Sequence, residues 1–191
     1  MAAMVRGGLT YEDLLAYPEE NWPKRELFDG ELVVSPSASH RHARVQARFI
    51  ITLGAWAEPI GADVHGGFDL EISKSPSVYV WPDVMVVLAD RIDLVGDRPG
   101  KAPPDVVVEI SSPSTRRRDL IRKRAYYEQF GVPEYWYADL DGNRILVFEL
   151  RNGRYGEPKV FGCGDVLGSN HLKGFSAPVA WLLDITGPAG A

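Results

Sequence analysis

Cysteine is almost absent: Cys163 stands alone among 191 residues. A lone thiol cannot form a bridge within the chain or hold a structural zinc by itself, so a reducing cytoplasm is the simplest home. No apolar run nears the roughly 18 residues expected of a membrane span. Met1 to Gly8 carries Arg6 but no apolar stretch, so no secretory signal is expected. Histidine is sparse and poorly spaced for metal. His40 and His42 lie two apart rather than at the i,i+4 spacing of a helical metal pair, and His65 and His171 are isolated. No glycine-rich phosphate loop opens a helix, which disfavours nucleoside triphosphate hydrolysis. Ser111, Ser112 and Ser114 lack the glycine pattern of a nucleophile elbow. Positive charge is also in deficit, with a net of -5, which argues against coating nucleic acid by bulk electrostatics.

What is present reads as an ordinary globular chain, 45% apolar, 25% charged and 10% aromatic. The length fits a single domain over residues 1–191, with loose ends at 1–8 and 186–191. Thr10 with Glu12 and Asp13 signals a short helix that stops near Pro18. Asp29-Gly30 between Glu26-Leu27-Phe28 and Glu31-Leu32-Val33-Val34 predicts a hairpin. Ser37 or Ser39 can cap a helix reaching about Ala57, with Val45, Phe49, Leu53 and Trp56 along one face. Phe68, Leu70 and Ile72 alternate as a half-exposed strand. Val78 to Leu88 reads as one central strand, and Asp105 to Ser111 as another. A helix capped by Ser114 or Thr115 ends at Gly131, and Asp141-Gly142-Asn143 joins two further strands. The order is α/β with a mixed sheet flanked by helices.

Two carboxylates stand out because they interrupt apolar strands: Asp83 in Val80–Val86 and Glu109 in Val106–Ile110. A charge in a central strand costs several kcal/mol unless paired or bound to a cation. A divalent metal between them answers both charges, and oxygen donors suit Mg²⁺ or Mn²⁺. Two carboxylates and a backbone carbonyl suffice for such an ion, which activates water and offsets charge on a phosphoryl group. Plain salt bridges to Arg or Lys, or a strand-end position for Asp83, account for the same acids without a metal. Asp119, Lys123 and Tyr127 follow at i, i+4 and i+8, so one helix face carries all three. Lys123 on that face can reach a phosphate or the attacking water, with Asp119 and Tyr127 supporting it. A solvated ion pair beside a core tyrosine fits the same spacing. Between Arg116 and Arg124, six of nine residues are Arg or Lys. Their guanidinium forks match phosphate oxygens, and basic residues at a helix start oppose its dipole. Arg116, Arg117, Arg118 and Arg122 are therefore candidate phosphate contacts.

Pro82-Asp83, the run from Pro104-Asp105 through Glu109-Ile110-Ser111-Ser112-Pro113-Ser114-Thr115, and Asp119…Lys123…Tyr127 followed by Gly131-Val132 and Glu134-Tyr135-Trp136 together resemble the Uma-type family of bacterial endonucleases. Glu26-Leu27-Phe28-Asp29-Gly30-Glu31-Leu32-Val33, Ser35-Pro36 and His42 resemble its N-terminal pattern. The likeness runs from about Tyr11 to Leu183. It implies the restriction-endonuclease-like PD-(D/E)xK fold, with an αβββαβ core. It also implies Asp83 and Glu109 as metal-binding acids and the Ile110 carbonyl as a third ligand. The superfamily's lysine two residues after the acid is Ser111 here, and the resemblance carries that lysine to Lys123. Glu31 and Ser111 join as supporting residues, and His42 joins the arginines as a nucleic-acid contact.

The expectation is a Mg²⁺-dependent endonuclease acting on DNA, with no membrane partner. Restriction-like folds often pair to cut two strands, which makes a homodimer a candidate, while the residues leave the oligomeric state open. The alternatives are a non-catalytic nucleic-acid or protein-binding module on the same fold, and a hydrolase of small phosphodiesters.

Overall fold

A computed structural model describes residues 4–5, 8–17, 24–96, 98–113 and 115–185. The expected helix stop at Pro18, the Ser114 cap and the 186–191 tail lie outside them. In chain order the first elements are β1 (Met4–Val5), α1 (Tyr11–Leu15), β2 (Lys24–Phe28), β3 (Glu31–Ser35) and α2 (His40–Ala57). Then come β4 (Asp63–His65), β5 (Leu70–Lys74), β6 (Ser77–Val80), β7 (Val84–Val87), α3 (Ile92–Val95) and β8 (Val106–Ile110). Helix α4 spans 116–130 and is followed by β9 (Glu134–Asp139) and β10 (Arg144–Arg151). The chain continues through β11 (Arg154–Tyr155), β12 (Lys159–Gly162), β13 (Val166–Gly168), β14 (Ser176–Pro178) and α5 (Val179–Leu182). No described helix is long and apolar enough to cross a membrane.

The strands form two principal sheets. The larger runs β11-β10-β9-β8-β7-β4, with β12 also on β10. Its β8–β9 pair is parallel while β7–β8, β4–β7 and β9–β10 are antiparallel. Helix α4 is the crossover that a parallel pair requires. The smaller sheet runs β1-β3-β2-β6-β5 and is antiparallel. The N-terminal hairpin is therefore the middle of a five-stranded layer.

Strand alternation sorts the core into two faces. Val84, Val86, Val106, Val108, Ile110, Trp136, Ala138, Ile145 and Val147 meet Val45, Phe49 and Leu53 of α2. Met85, Val87, Val107, Tyr135, Tyr137, Leu146 and Phe148 point the other way, toward Tyr126 and Tyr127 of α4 and Phe28, Val78 and Val80 of the smaller sheet. Glu109 has the parity of Val107, so its side chain enters the seam between the sheets.

The expected single strand from Val78 to Leu88 is broken. Its first half pairs in the smaller sheet and its second half in the larger, and Trp81-Pro82-Asp83 crosses between them. Proline has no N–H for a ladder, so the crossing falls where pairing is already weakest. Asp83 thus sits ahead of β7, not inside a strand. Trp56 is only partly buried, and Ala57 and His42 complete the buried face of α2.

Local signals behave as their chemistry demands. Ser39, not Ser37, caps α2 by accepting the His42 N–H at 3.2 Å. Thr115 makes no side-chain cap to α4. Asp29 and Gly30 take φ of 56° and 76°, the pair of left-handed residues a two-residue hairpin turn needs. A Cβ on Gly30 would lie 3.1 Å from the Gly8 Cα. Gly30→Ala is expected to cost about 1–2 kcal/mol through the left-handed backbone alone. The readout is a lower urea midpoint at unchanged slope.

Candidate active site

The alternation of β2 puts Lys24, Glu26 and Phe28 on one face, toward the larger sheet, while Leu27 packs with Tyr11, Leu32 and Tyr79 on the other. Two charged side chains thereby share the apolar parity of a strand. They meet Asp83 from the crossing, Glu109 from β8 and Lys123 from α4.

Lys123 is the centre of this cluster. Its Nζ lies 2.7 Å from Glu109 Oε1 and 2.8 Å from Glu26 Oε1, at 1% exposure. Tyr127 donates its hydroxyl to Glu109 Oε1 at 2.6 Å, and the Trp81 N–H donates to Glu26 Oε1 at 2.9 Å. One lysine thus joins a strand of each sheet to the crossover helix. Residues Asp119–Lys123 of α4 form a π-helical turn, with the Arg124 N–H reaching Asp119 O. Such turns recur at functional sites. Asp119, Lys123 and Tyr127 are all buried, so the pair is not the solvated one that the same spacing also allowed.

Asp83 is held on both oxygens. Lys24 Nζ lies 2.9 Å from Oδ1, while Oδ2 takes the Ile110 N–H at 2.8 Å and faces His42 Nε2 at 3.2 Å. Gln46 Nε2 donates to the Asp83 carbonyl at 2.8 Å. Burial opposes ionisation of Asp83, but Lys24 and His42 hold its carboxyl well below the usual range. Burial pushes Glu109 up to about 7, with the Asp83 and Asp119 charges adding to it and Lys123 and Lys24 opposing. Burial also raises Asp119. Glu26 is lowered by Lys123 and Lys24 against its burial, and both lysines are raised by the carboxylates around them despite theirs. Glu26, Asp83, Glu109 and Asp119 are four buried acids, met by Lys24 and Lys123 and, 3.9 Å from Asp119, by Arg118.

The cluster floors a cleft of about 720 Å³. Asp83, Glu109, Ile110, Ser111, Asp119, Lys123 and His42 line it, as do Lys24, Gln46, Arg41 and Arg118. His42, expected at nucleic acid, faces Asp83. Ser111 accepts the Leu140 N–H at 2.8 Å. The arginine strip is mostly engaged within the chain. Arg116 pairs with Asp139 at 2.5 Å, and Arg122 lies 2.9 Å from Asp29 and 3.8 Å from Glu31. Arg118 donates to Ser35 Oγ at 2.7 Å and lies 3.9 Å from Asp119. Arg117 is exposed. Sequence reasoning missed Lys24, Glu26, Gln46 and Arg41. For Lys24 and Glu26 the signal was their shared parity with Phe28.

The family profile that matches the chain, over residues 11–180, is Uma2, described as a putative restriction endonuclease. Among solved structures, the chain is similar to a putative nuclease belonging to DUF820 from Anabaena variabilis. The TM-score is 0.76 at 18% identity, covering 92% of this chain and 98% of that one. No functionally curated protein matches.

Burial works against ionisation of Asp139, yet Arg116, the Gly142 N–H and Arg144 hold its carboxyl below the ordinary value of 3.8. A depressed acid stabilises the fold above its unfolded pKa, and that contribution fades as pH falls through the folded value. Asp139→Asn is expected to lose about 1–3 kcal/mol at neutral pH, the range for charged hydrogen bonds and an unmet partner. Below pH 4 the gap to the parent protein should narrow, as followed by urea unfolding across pH.

Proposed function

The chain belongs to the Uma2 family, and from that premise we propose that it is a divalent-metal-dependent nuclease hydrolysing DNA phosphodiesters in the cleft at the sheet seam. The observation that carries the reading is the convergence of Asp83 and Glu109 from adjacent β7 and β8 ends onto one cleft floored by buried acids.

The donor set fits a small hard cation. Asp83, Glu109 and the Ile110 carbonyl would hold it, all oxygen donors as Mg²⁺ or Mn²⁺ prefer. Among the described residues Glu26 Oε2 is buried with no hydrogen-bond partner, an orphaned acceptor within the same group of acids. Among the described residues no three His, Cys, Asp or Glu side chains form a ready cage, so an ion here would have few protein ligands and keep water. When bound, such an ion lowers the pKa of a coordinated water and offsets charge on the phosphoryl oxygens.

The chain's own groups set the geometry. Lys123 and Tyr127 grip one oxygen of Glu109 and fix its carboxylate plane. The Ile110 N–H and His42 do the same for Asp83. Arg118 and Arg41 line the cleft where a phosphate backbone would run. Two copies acting together would cut both strands of a duplex.

A second reading, a binding module without turnover, draws on one observation: both acids already carry a lysine. Incubation with DNA and Mn²⁺ separates the two. Asp83→Asn and Glu109→Gln are each expected to lower cleavage roughly 10²–10³-fold, the scale for losing a group that stabilises transition-state charge. DNA bound but never cut by the parent protein favours the module. Cutting of small phosphodiesters in place of DNA would instead mark a small-substrate hydrolase.

Phosphate contacts carry their own signature. Arg41→Ala and Arg118→Ala should each weaken binding alike for all sequences. Each should lower the slope of log affinity against log salt by about 1.

A further inference from the structure

The two lysines of the cluster differ in what they can reach. Lys123 has both carboxylate neighbours within 2.8 Å and is 1% exposed, so it is pinned in the cleft floor between them. Lys24 is 14% exposed and lines the cleft, with Asp83 Oδ1 as its single hydrogen-bond partner among the described residues. The ammonium has three donors, so Lys24 keeps hydrogen-bonding capacity facing the cleft. Asp83 is asymmetric as well. Its Oδ2 is taken by the Ile110 N–H and His42, whereas Oδ1 meets Lys24 alone. Lys24 is a compact charge on a long flexible stem, rooted at the first residue of β2.

We propose that Lys24 is the catalytic lysine of the cleft, which leaves Asp83 Oδ1 to a divalent cation and binds a non-bridging oxygen of the scissile phosphate, while Lys123 is a positioning residue for Glu109. The inference rests on the nuclease reading and deepens it. In the step itself a water oxygen bonds to phosphorus and the bond from phosphorus to the leaving oxygen breaks with its electron pair. The attacking water gives up a proton to solvent, and the leaving oxygen takes one up. Lys24 stays an ammonium throughout and offsets the charge that grows on the non-bridging oxygen. Burial opposes its charge, but Asp83, Glu109 and Glu26 together keep it protonated.

The test uses the full chain with Lys24→Met and Lys24→Arg, and with Lys24→Gln, which keeps a donor toward Asp83 should the methionine variant fold poorly. Mn²⁺ binding is measured by titration calorimetry, and cleavage of DNA in single-turnover assays. With the competing ammonium gone, Lys24→Met or Lys24→Gln is expected to bind Mn²⁺ on the order of tenfold more tightly, a change of the size outer contacts exert on metal affinity. Cleavage falls roughly 10²-fold in the same variants and recovers in part in Lys24→Arg. A merely structural lysine would lower Mn²⁺ affinity and cleavage together, and that result overturns the proposal. Unchanged Mn²⁺ affinity and cleavage in active protein also overturns it, and leaves the nuclease reading intact. A parent protein that neither binds Mn²⁺ nor cuts DNA removes the nuclease reading and this inference with it.

Discussion

The contact on which the structure depends is the Lys123 ammonium between Glu26 and Glu109. Through charge it joins β2, β8 and α4, with Phe28, Val107, Tyr127 and Tyr135 among the apolar residues packed in the same seam. Removing one member of such a buried group leaves uncompensated charge, whereas replacing the whole group with apolar residues can be neutral. Stability alone therefore does not require the cluster. Glu109 and Lys123 line the cleft that also holds Asp83.

Where charge sits in this molecule follows from layer geometry. The central strands of the larger sheet offer one face to α2 and the other to the seam, and the acids of the cleft lie on the seam side. Glu134, by contrast, is buried on the α2 side, where it accepts the Trp136 indole N–H at 2.8 Å. Glu109 reaches the seam by parity, Glu26 by the opposite layer, and Asp83 because the chain changes sheets there. The arginine strip, by contrast, lies on the outer side of α4 and is largely answered by Asp139, Asp29 and Glu31. In the cleft, Lys24 and Arg118 lie against acids as well, Lys24 on Asp83 and Arg118 3.9 Å from Asp119.

Much of this was legible in the residues. Asp29-Gly30 specified a turn that only left-handed residues can make. Ser39 and the Val45-Phe49-Leu53 rhythm specified α2, and alternation in Val106–Ile110 gave Glu109 its face. The i, i+4, i+8 spacing carried Asp119, Lys123 and Tyr127 to one buried side even through a π-helical turn. The crossing at Trp81-Pro82-Asp83 was hidden because both flanks are apolar and β-branched, and periodicity cannot show that a run changes sheets. Lys24 and Glu26 were hidden for a different reason: a charged residue at an apolar parity normally marks the end of a strand, and only the opposing layer reveals that these two are buried.

The cluster draws on positions 24, 26, 83, 109 and 123, scattered across a hundred residues and three kinds of element. Such contacts close long loops, which slows their formation relative to local turns and helices. The hairpin and α2 can take shape early from neighbouring residues, but the carboxylate floor exists only once both layers and the crossover helix have docked. A nascent or partly collapsed chain consequently lacks the cluster, since its acids and lysines have not yet been introduced to one another.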